Sequence, residues 1–396
     1  MSYRFISQED VKGKTIVLRV GIDSNVVKGN IVPGERLRQQ ASVLKDLAGK
    51  GAKIIAIGHQ GREGKTDFVS LEQHRDFLEK ESEIPVEFSK WDSDFSEKIL
   101  SLKEGQAILL DNVRFNKDET EEKSAIEHSQ SPWIKAIAKH ADYFVQNAFS
   151  VCHRSHASVV GFTPLLPSYV GPTLEKEITA LEKMGAIKQN RLLVLGGAKP
   201  EDSIKLLKSM LEKNRVDSVI SGGLFGNIFV EASGHKLGKS TEFIRQKGMF
   251  ELIGPAKKLL ESFGEKISLP VDFGADENGQ RKEIGIEELP SELSLLDIGE
   301  KTIAFFREKI MGAELIVFNG PMGVYEQEAF QKGTKSIFEA IAKSNAFSLL
   351  GGGDTETAIE QLGLNKERFS HISLAGKALL QYLSGKELPG LIALEV

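Results

Sequence analysis

"LLGGGDTETA", residues 349–358, is an apolar run that ends on three consecutive glycines and continues as a helical pattern. A buried strand, a glycine turn and a helix in this order form the repeating unit of parallel α/β sheets. Glycines at such a junction serve either of two purposes. They allow the positive φ of a tight turn, or they expose bare N–H groups at a helix start, where an anion can bind. The stretch alone favours the turn, because strand–glycine–helix turns outnumber phosphate sites.

The same order of elements recurs along the chain. Apolar runs of strand length alternate with amphipathic helical patterns such as residues 36–51. The predicted strands are 15–20, 53–58, 107–112 and 143–149 in the first half, and 191–197, 218–223, 266–273, 315–320 and 347–353 in the second. Two successive sets of this kind predict an α/β protein with two doubly wound, parallel-sheet (Rossmann-like) domains.

A proline-rich stretch, residues 161–173, separates the two sets and interrupts regular structure. We therefore predict an N-terminal domain over 1–172, an interdomain helix over 173–190 and a C-terminal domain over 191–372. Residues 373–396 are expected to pack back onto the first domain. Ligands of doubly wound sheets bind beyond the carboxyl ends of the strands, so a ligand cleft between the two domains is expected.

Composition excludes several classes of protein. The chain has 396 residues and a net charge of −5, which argues against a general nucleic-acid binder. Its only cysteine, Cys152, cannot form an internal disulfide, as is usual in a reducing compartment. No apolar run reaches the ~20 residues needed to span a bilayer, and the N-terminus lacks the pattern of a signal peptide. We predict a cytoplasmic protein that binds neither nucleic acid nor membrane.

Basic and polar residues follow the predicted strands of the first half. Any one of these arginines could pair with a nearby acid on the surface, such as Glu35, Glu63 or Asp118. Their recurrence after four strands instead indicates a site for a polyanion, because guanidinium groups match phosphate and carboxylate oxygens. His153 and His156 have no third partner at a convincing metal-binding spacing, so we predict no zinc site. The candidate residues are Asp23, Asn25, Arg36, His59, Arg62, Arg114 and Arg154.

In the second half, glycines occupy the corresponding positions. They allow the backbone to approach a flat base and a phosphate chain. Lys199 follows a glycine pair, and Asp354 offers an oxygen ligand for a Mg²⁺ ion that bridges phosphates. The segment 233–240 lacks the first glycine of a phosphate-binding loop and follows a helical stretch, so we do not assign it that role. The glycine-rich segments are "LGGAKPEDS" (195–203), "SGGLFGN" (221–227), "FNGPMGVYE" (318–326) and "LGGGDT" (350–355).

Together these motifs resemble the phosphoglycerate kinase family, nearly end to end and in order. The archaeal branch is the more similar, on the evidence of "HQGR" (59–62) and "EDSIK" (201–205). The resemblance implies reversible phosphoryl transfer between 1,3-bisphosphoglycerate and ADP, which gives 3-phosphoglycerate and MgATP, with closure of the two domains. The motifs that carry it are "NAF" (147–149), "HRSH" (153–156), "GGAK" (196–199), "LPVDF" (269–273), "NGPMGVYE" (319–326), "GGGDT" (351–355) and "LPGLIAL" (388–394).

The resemblance also implies roles for individual residues. Arg36, Lys199, Gly352 and Gly353 would stabilise the transferring phosphoryl group, and Asp354 would serve Mg²⁺. Glu326 would bind the ribose hydroxyls. The phosphoglycerate would be held by Asp23, Asn25, Arg36, His59, Arg62, Arg114 and Arg154. The nucleotide would be surrounded by Gly197, Ala198, Lys199, Gly222, Gly223, Asn319, Pro321, Glu326, Gly351, Gly352, Gly353, Asp354 and Thr355.

The sequence departs from the family pattern at several points. They are the displaced Asp–x–Asn pair in "RVGIDSNVV" (19–27), Glu63, Asn147 and "SLAGKA" (373–378). Lys377 in the last segment either reaches a phosphate or lies in solvent. An active kinase, a weakened paralogue that binds nucleotide or protein, and a kinase for another acyl phosphate all stay open. The retained Arg36, Lys199 and Asp354 favour the first. A monomer and a homodimer are both compatible with the sequence.

Overall fold

The computed structural model describes residues 2–92, 95–353 and 355–396, and the chain forms two compact units. The first unit comprises Met1–Thr179 and Glu387–Val396, and the second comprises Ala180–Lys386. No helix of the described residues is both long enough and apolar enough to cross a membrane.

The first unit contains a six-stranded parallel sheet with the strand order β5-β6-β4-β1-β7-β8, and an antiparallel hairpin of β2 and β3. The strands are β1 (Thr15–Arg19), β2 (Asn25–Val27), β3 (Asn30–Val32), β4 (Lys53–Ile57), β5 (Val86–Ser89), β6 (Ala107–Leu110), β7 (Tyr143–Gln146) and β8 (Ser168–Val170). The helices are α1 (Glu35–Gly49), α2 (Glu72–Ser82), α3 (Phe95–Ser101), α4 (Ala125–His128), α5 (Pro132–Ala138), α6 (Ala157–Val160) and α7 (Pro172–Ala186).

Helices cover both faces of this sheet, which explains why its strands are apolar throughout. On the central strand β1, Ile16 and Leu18 pack into one core cluster together with Leu44 of α1. Val17 points to the other face and packs into a second cluster with Trp133 of α5. Each face therefore has its own apolar layer, as expected for a doubly wound sheet.

The second unit contains a six-stranded parallel sheet with the order β11-β10-β9-β15-β16-β17, and a three-stranded antiparallel sheet with the order β13-β12-β14. The strands are β9 (Arg191–Leu195), β10 (Ser218–Ser221), β11 (Ile267–Ser268), β12 (Asp272–Glu277), β13 (Gln280–Gly285), β14 (Ser294–Ile298), β15 (Leu315–Asn319), β16 (Phe347–Gly351) and β17 (His371–Ile372). The helices are α8 (Pro200–Glu212), α9 (Gly223–Ala232), α10 (Lys239–Gln246), α11 (Ile253–Phe263), α12 (Glu300–Met311), α13 (Lys332–Lys343), α14 (Thr355–Gln361) and α15 (Lys377–Leu383); α16 (Pro389–Ile392) lies in the segment that returns to the first unit.

The parallel sheet of the second unit has the strand order of a Rossmann fold, 3-2-1-4-5-6 when its strands are counted along the chain. The order reverses between β9 and β15, and such a switch point opens a crevice at the carboxyl ends of the strands. The fold class predicted from the sequence, two doubly wound parallel-sheet domains, is therefore confirmed.

Two predicted segments differ from the structure. The strand predicted over 266–273 is two strands, β11 and β12, which belong to different sheets. Pro270 lies between them and cannot donate to a strand ladder. Conversely, the proline-rich stretch contains the short strand β8, which lies at the edge of its sheet, where proline is tolerated.

The division of the chain also differs from the predicted boundaries. The division at Thr179 and Ala180 falls inside α7, which ends at Ala186 and not at residue 190. Residues 373–386 stay with the second unit, and only Glu387–Val396 join the first. Residues 373–386 stay there because α15 lies against α8 of the second unit. The hydroxyl of Ser209 on α8 donates to the carbonyl of Ser384, directly after α15, at 2.6 Å.

Asn147, one of the departures from the family pattern, fastens three elements of the first unit. It is fully buried directly after β7. Its Oδ1 accepts a hydrogen bond from the backbone N–H of Thr173 in the first turn of α7, at 2.8 Å. Its Nδ2 donates to Oε1 of Gln40 on α1, also at 2.8 Å. One side chain therefore ties the sheet to two helices.

We expect Asn147→Ala to lower the free energy of unfolding of the first unit by about 1–3 kcal/mol, because it leaves buried polar groups without partners. Both tryptophans, Trp91 and Trp133, lie in this unit, so their fluorescence during denaturation reports on it directly. The exposed Asn30 provides a control, since Asn30→Ala should change the value by less than about 0.5 kcal/mol. Equal stability of the Asn147 variant and the parent would contradict this account.

Candidate functional site

In the first unit, the loop after β4 connects residues from two other loops. The backbone N–H of Gly61 donates to Oδ1 of Asp23 at 3.0 Å, and its carbonyl accepts a hydrogen bond from the guanidinium of Arg114. Gly61 has φ of +64°, and a Cβ there would lie 2.2 Å from the carbonyl oxygen of Asp67. Only glycine fits this position. Its backbone holds the side chains of Asp23 and Arg114, which come from loops after two different strands, close to each other.

The structure gathers several of the predicted basic residues with one that was not predicted, Arg19. We call Arg19, His59, Arg62, Arg114 and Arg154 the basic cluster. Burial, together with repulsion from Arg154, lowers the pKa of Arg114 to about 10, although Asp23 and Glu119 act against this. Burial and repulsion from Arg62 likewise lower the pKa of Arg154. A bound anion would relieve this repulsion, as expected of a polyanion site.

The remaining predicted residues of this unit lie at the margin of the cluster. Arg36 is in the first turn of α1, and its guanidinium donates to the carbonyl of Asp23 at 3.3 Å. Asn25 is exposed at the start of β2, where it pairs with Val32 across the hairpin. No contact among the described residues links the Asn25 side chain to the basic cluster.

The divergent loop that carries Asp23 is held by a residue that sequence reasoning missed. Gln60 is fully buried. Its side chain accepts from the N–H of Ser24 at 2.8 Å and donates to the carbonyl of Ser24 at 2.9 Å. This amide replaces the hydrogen bonds that a neighbouring strand would make, so the displaced loop has a fixed position.

One member of the basic cluster, Arg19, is buried behind the others. Arg19 ends β1 and is 1% exposed, so it cannot reach a ligand as a surface arginine would. Burial lowers its pKa to about 10, while Glu119 raises it. The sequence does contain a sign of this buried arginine, since Arg19 lies within the apolar run 15–20. A charged residue in a buried strand usually has a partner, which could have directed attention to it.

Two histidines of this region, His59 and His156, are held in the neutral form. Burial and the neighbouring Arg19 lower the pKa of His59 well below its usual value. Burial and Arg154 lower the pKa of His156 to about 3, so its 3.5 Å approach to Glu122 is not an ion pair. The described residues contain no cluster of three histidine, cysteine or acidic side chains that could hold a metal ion.

In the second unit, the loops after β9, β10 and β15 are hydrogen-bonded to one another through their backbones. The N–H of Gly197 donates to the carbonyl of Pro321 at 2.7 Å, and the N–H of Gly223 donates to the carbonyl of Met322 at 2.8 Å. Gly320 has φ of +96°, and a Cβ there would lie 2.5 Å from the carbonyl oxygen of Gly196. Side chains are excluded from this junction, which explains the glycine-rich sequence. We call these segments, 196–199, 222–224 and 319–323, the glycine loops.

A pocket of about 610 Å³ lies beside the glycine loops. Asn227 and Ser240 line it, but both are hydrogen-bonded to the backbone of Leu295. Phe243, which the sequence did not single out, adds an aromatic wall. Apolar walls and a few polar groups suit a flat ring system. Of the predicted nucleotide residues, those that line the pocket are Gly197, Ala198, Gly223, Pro321 and Glu326.

Other predicted residues lie outside this pocket. Lys199 is exposed at the N-cap of α8, and Asn319 is half-buried at the end of β15. A Cβ on Gly222 would lie 2.7 Å from Sδ of Met322, so this glycine serves packing. Lys377 is exposed at the start of α15, and its role stays a prediction.

The glycine triad at 351–353 forms a turn in which one position has no close neighbour, and anion binding by its amides stays a prediction. Gly351 ends β16, and Gly352 has φ of +103°. The buried hydroxyl of Thr355 donates to the carbonyl of Gly351 at 2.6 Å, so it closes the turn. A Cβ on Gly353 would meet nothing within 4 Å. Asp354, the predicted Mg²⁺ ligand, lies outside the described residues.

Comparison with known proteins agrees with these features. The phosphoglycerate kinase family model matches residues 6–386. The chain is 38% identical to the phosphoglycerate kinase of Thermococcus kodakarensis over 393 residues, which cover 97% of this chain and 95% of the relative. It is 39% identical to that of Methanosarcina mazei over 396 residues, with 98% and 94% covered.

Solved structures give the same result. The crystal structure of phosphoglycerate kinase from Pyrococcus horikoshii OT3 is similar to this chain with a TM-score of 0.90 and 36% identity, and the match covers 99% of this chain and 98% of the other. The enzyme from Coxiella burnetii has a TM-score of 0.83 and 30% identity, with 99% of each chain covered. Because family model, sequences and folds agree along almost the whole chain, this protein belongs to the phosphoglycerate kinase family.

Proposed function

We propose that the chain catalyses the reversible transfer of a phosphoryl group between 1,3-bisphosphoglycerate and ADP, which gives 3-phosphoglycerate and MgATP. The observation that carries this proposal is that each unit offers a site for one of the two kinds of ligand. The first unit gathers cations that an anion would stabilise. The second has a pocket beside the glycine loops, in a chain of the phosphoglycerate kinase family.

The basic cluster is assigned to the phosphoglycerate. Arg62 is exposed, and Arg114 and Arg154 are half-buried, so all three can present N–H groups to phosphate and carboxylate oxygens. Asp23, held by Gly61, would accept a hydrogen bond from the substrate hydroxyl. Asn25 is retained as a proposed contact on the strength of the family motif alone.

The pocket of the second unit is assigned to the nucleotide. Its flat apolar walls, which include Ala198 and Pro321, suit the base. Glu326 is exposed where it lines the pocket, so its carboxylate can accept hydrogen bonds from ribose hydroxyls. The exposed Lys199 is assigned to the phosphates.

The chemistry needs positioned charge and no nucleophile from the protein. A carboxylate oxygen of 3-phosphoglycerate attacks the terminal phosphorus of ATP, and the bond from that phosphorus to the bridging oxygen of ADP breaks. The carboxylate is already ionised at neutral pH, so no general base is required. Phosphoryl transfer depends mainly on alignment and charge stabilisation. We assign the latter to Lys199, Arg36 and the amides of Gly352 and Gly353.

Mg²⁺ is expected to arrive with the nucleotide, whose phosphate oxygens and bound waters supply most of its ligands. We propose that Asp354 completes that ligand set, although it lies outside the described residues. The ion would offset negative charge on the phosphates. We also propose a cytoplasmic location, small-molecule partners only, and a monomer or homodimer.

A coupled assay tests the proposed function. The intact chain is supplied with 3-phosphoglycerate and MgATP, and the 1,3-bisphosphoglycerate formed is reduced by a dehydrogenase that consumes NADH. Turnover that requires both substrates is expected. Nucleotide binding without turnover would instead support a weakened paralogue, and turnover with a different carboxylate only would support another acyl phosphate.

We expect Lys199→Ala to lower kcat by on the order of 10²-fold, because the lysine offsets charge that develops in the transition state. The KM for MgATP should change much less. Lys205→Ala is a matched control, since it removes an exposed lysine of α8, the helix that Lys199 caps. Near-normal kcat of the Lys199 variant in steady-state assays would remove this residue from the mechanism.

Substitutions in the two units should separate the two ligands. Arg62→Ala or Arg154→Ala should weaken binding of 3-phosphoglycerate and leave ADP binding unchanged, whereas Glu326→Ala should do the reverse. Isothermal titration calorimetry of each ligand with the intact chain measures both. Arg38→Ala, which removes an exposed arginine from α1, should change neither. Loss of ADP binding in the Arg62 variant would contradict the assignment.

A further inference from the structure

Four buried side chains of the first unit form one hydrogen-bonded chain that ends in the basic cluster. They are Glu119, Ser158, Arg19 and His59, which are 1%, 0%, 1% and 6% exposed. The hydroxyl of Ser158 donates to Oε1 of Glu119 at 2.7 Å. Nε of Arg19 donates to the same hydroxyl oxygen at 2.9 Å. Nη2 of Arg19 lies 2.9 Å from Nδ1 of His59.

The chemistry of these groups fixes the direction of every bond. A guanidinium has only donors, so Nδ1 of His59 must accept, and the single proton of the neutral ring is then on Nε2. Ser158 has one hydroxyl proton, which it gives to Glu119 because its oxygen accepts from Arg19. The backbone N–H of Ser158 donates to the second carboxylate oxygen at 2.8 Å, which prevents Glu119 from turning away.

We propose that Glu119, Ser158 and Arg19 are positioning residues that hold His59 as a neutral imidazole with its proton on Nε2, so that His59 donates a hydrogen bond to the bound phosphoglycerate. The inference rests on the proposed function for the identity of that ligand. No described residue accepts a hydrogen bond from Nε2 of His59, so its proton is available.

The surroundings of His59 oppose its protonation. The groups that act on it are Arg19, Arg114, Arg154 and His156, and each of them lowers its pKa, as burial does most strongly. Glu119, the acidic member of the four hydrogen-bonded side chains, is connected to His59 through Ser158 and Arg19. A protonated ring would also direct an N–H at the guanidinium, which has no acceptor. His59 therefore provides an oriented hydrogen bond to the substrate without a charge, while the arginines provide the positive charge.

The tautomer can be measured without any assay of activity. The intact chain is labelled with ¹⁵N-histidine, and long-range ¹H–¹⁵N correlation spectra are recorded between pH 8 and pH 5.5, with His59→Gln used only for assignment. We expect Nε2 of His59 to carry the proton over the whole range. An imidazole with the usual pKa of about 6.5 would be mostly protonated at the lower limit. A proton on Nδ1, or protonation near pH 6.5, would overturn the proposal even if the kinase assay succeeds.

A second measurement tests the chain behind His59. Ser158→Ala removes the link between Glu119 and Arg19, so the KM for 3-phosphoglycerate should rise by about tenfold and the KM for MgATP should stay the same. The His59 spectrum of this variant should show a mixture of tautomers. Ser82→Ala removes a fully buried hydroxyl of the same unit, which donates to the carbonyl of Leu78, and it should change neither the KM values nor the His59 spectrum. A Ser158 variant with the parental KM and the parental His59 spectrum would show that the chain does not position the ring.

Discussion

The first unit has to hold several positively charged side chains close together against their mutual repulsion. The strands of a parallel sheet end at the same edge, so residues placed after different strands are brought together whatever their charges. Here those residues include Arg62, Arg114 and Arg154, and burial together with the charges of neighbouring arginines lowers the pKa of Arg114 and of Arg154. These residues stay close together because the strands that carry them are held in one sheet, whose two faces are covered by apolar clusters. Two acids, Asp23 and Glu119, offset part of this repulsion. Asp23 is held by Gly61, and Glu119 is buried behind Ser158. The remaining imbalance is what an anionic substrate with a phosphate and a carboxylate would remove.

The second unit also contains a doubly wound parallel sheet, but its strand order differs and its site is built differently. Its ligand, in the function proposed, has a flat base that the backbone must approach closely, and only Lys199 is assigned to meet its phosphates with charge. The switch between β9 and β15 brings the glycine loops together, and their amides and carbonyls bond to one another in the absence of side chains. A Cβ at Gly196 would lie 2.1 Å from the carbonyl oxygen of Pro321, so the spacing of these loops is set by glycine. The pocket beside them is a consequence of that close approach.

Much of this organisation could be predicted from the sequence, and the failures have physical causes. The central parallel strands are apolar on both faces, so their positions were predicted, as was the start of α8 at Pro200. The short edge strands β5, β8 and β17 were not predicted. The segment 266–273 was predicted as one strand because its apolar run conceals the change of sheet at Pro270. Arg19, Ser158 and Glu119 were missed because a buried polar network depends on contacts between residues far apart in the chain. Phe243 was missed because an aromatic residue on an amphipathic helix is usually part of a core, whereas here it is 47% exposed beside the pocket.

Hydrogen exchange measured by mass spectrometry on the intact chain tests whether each unit binds one of the two ligands. With 3-phosphoglycerate alone, exchange should slow in the loops at 59–62, 112–115 and 153–157. With MgADP alone, it should slow in the glycine loops and in the segment 323–326 that lines the pocket. Protection of the glycine loops by 3-phosphoglycerate, or of the loop at 59–62 by MgADP, would contradict the division of the ligands between the two units.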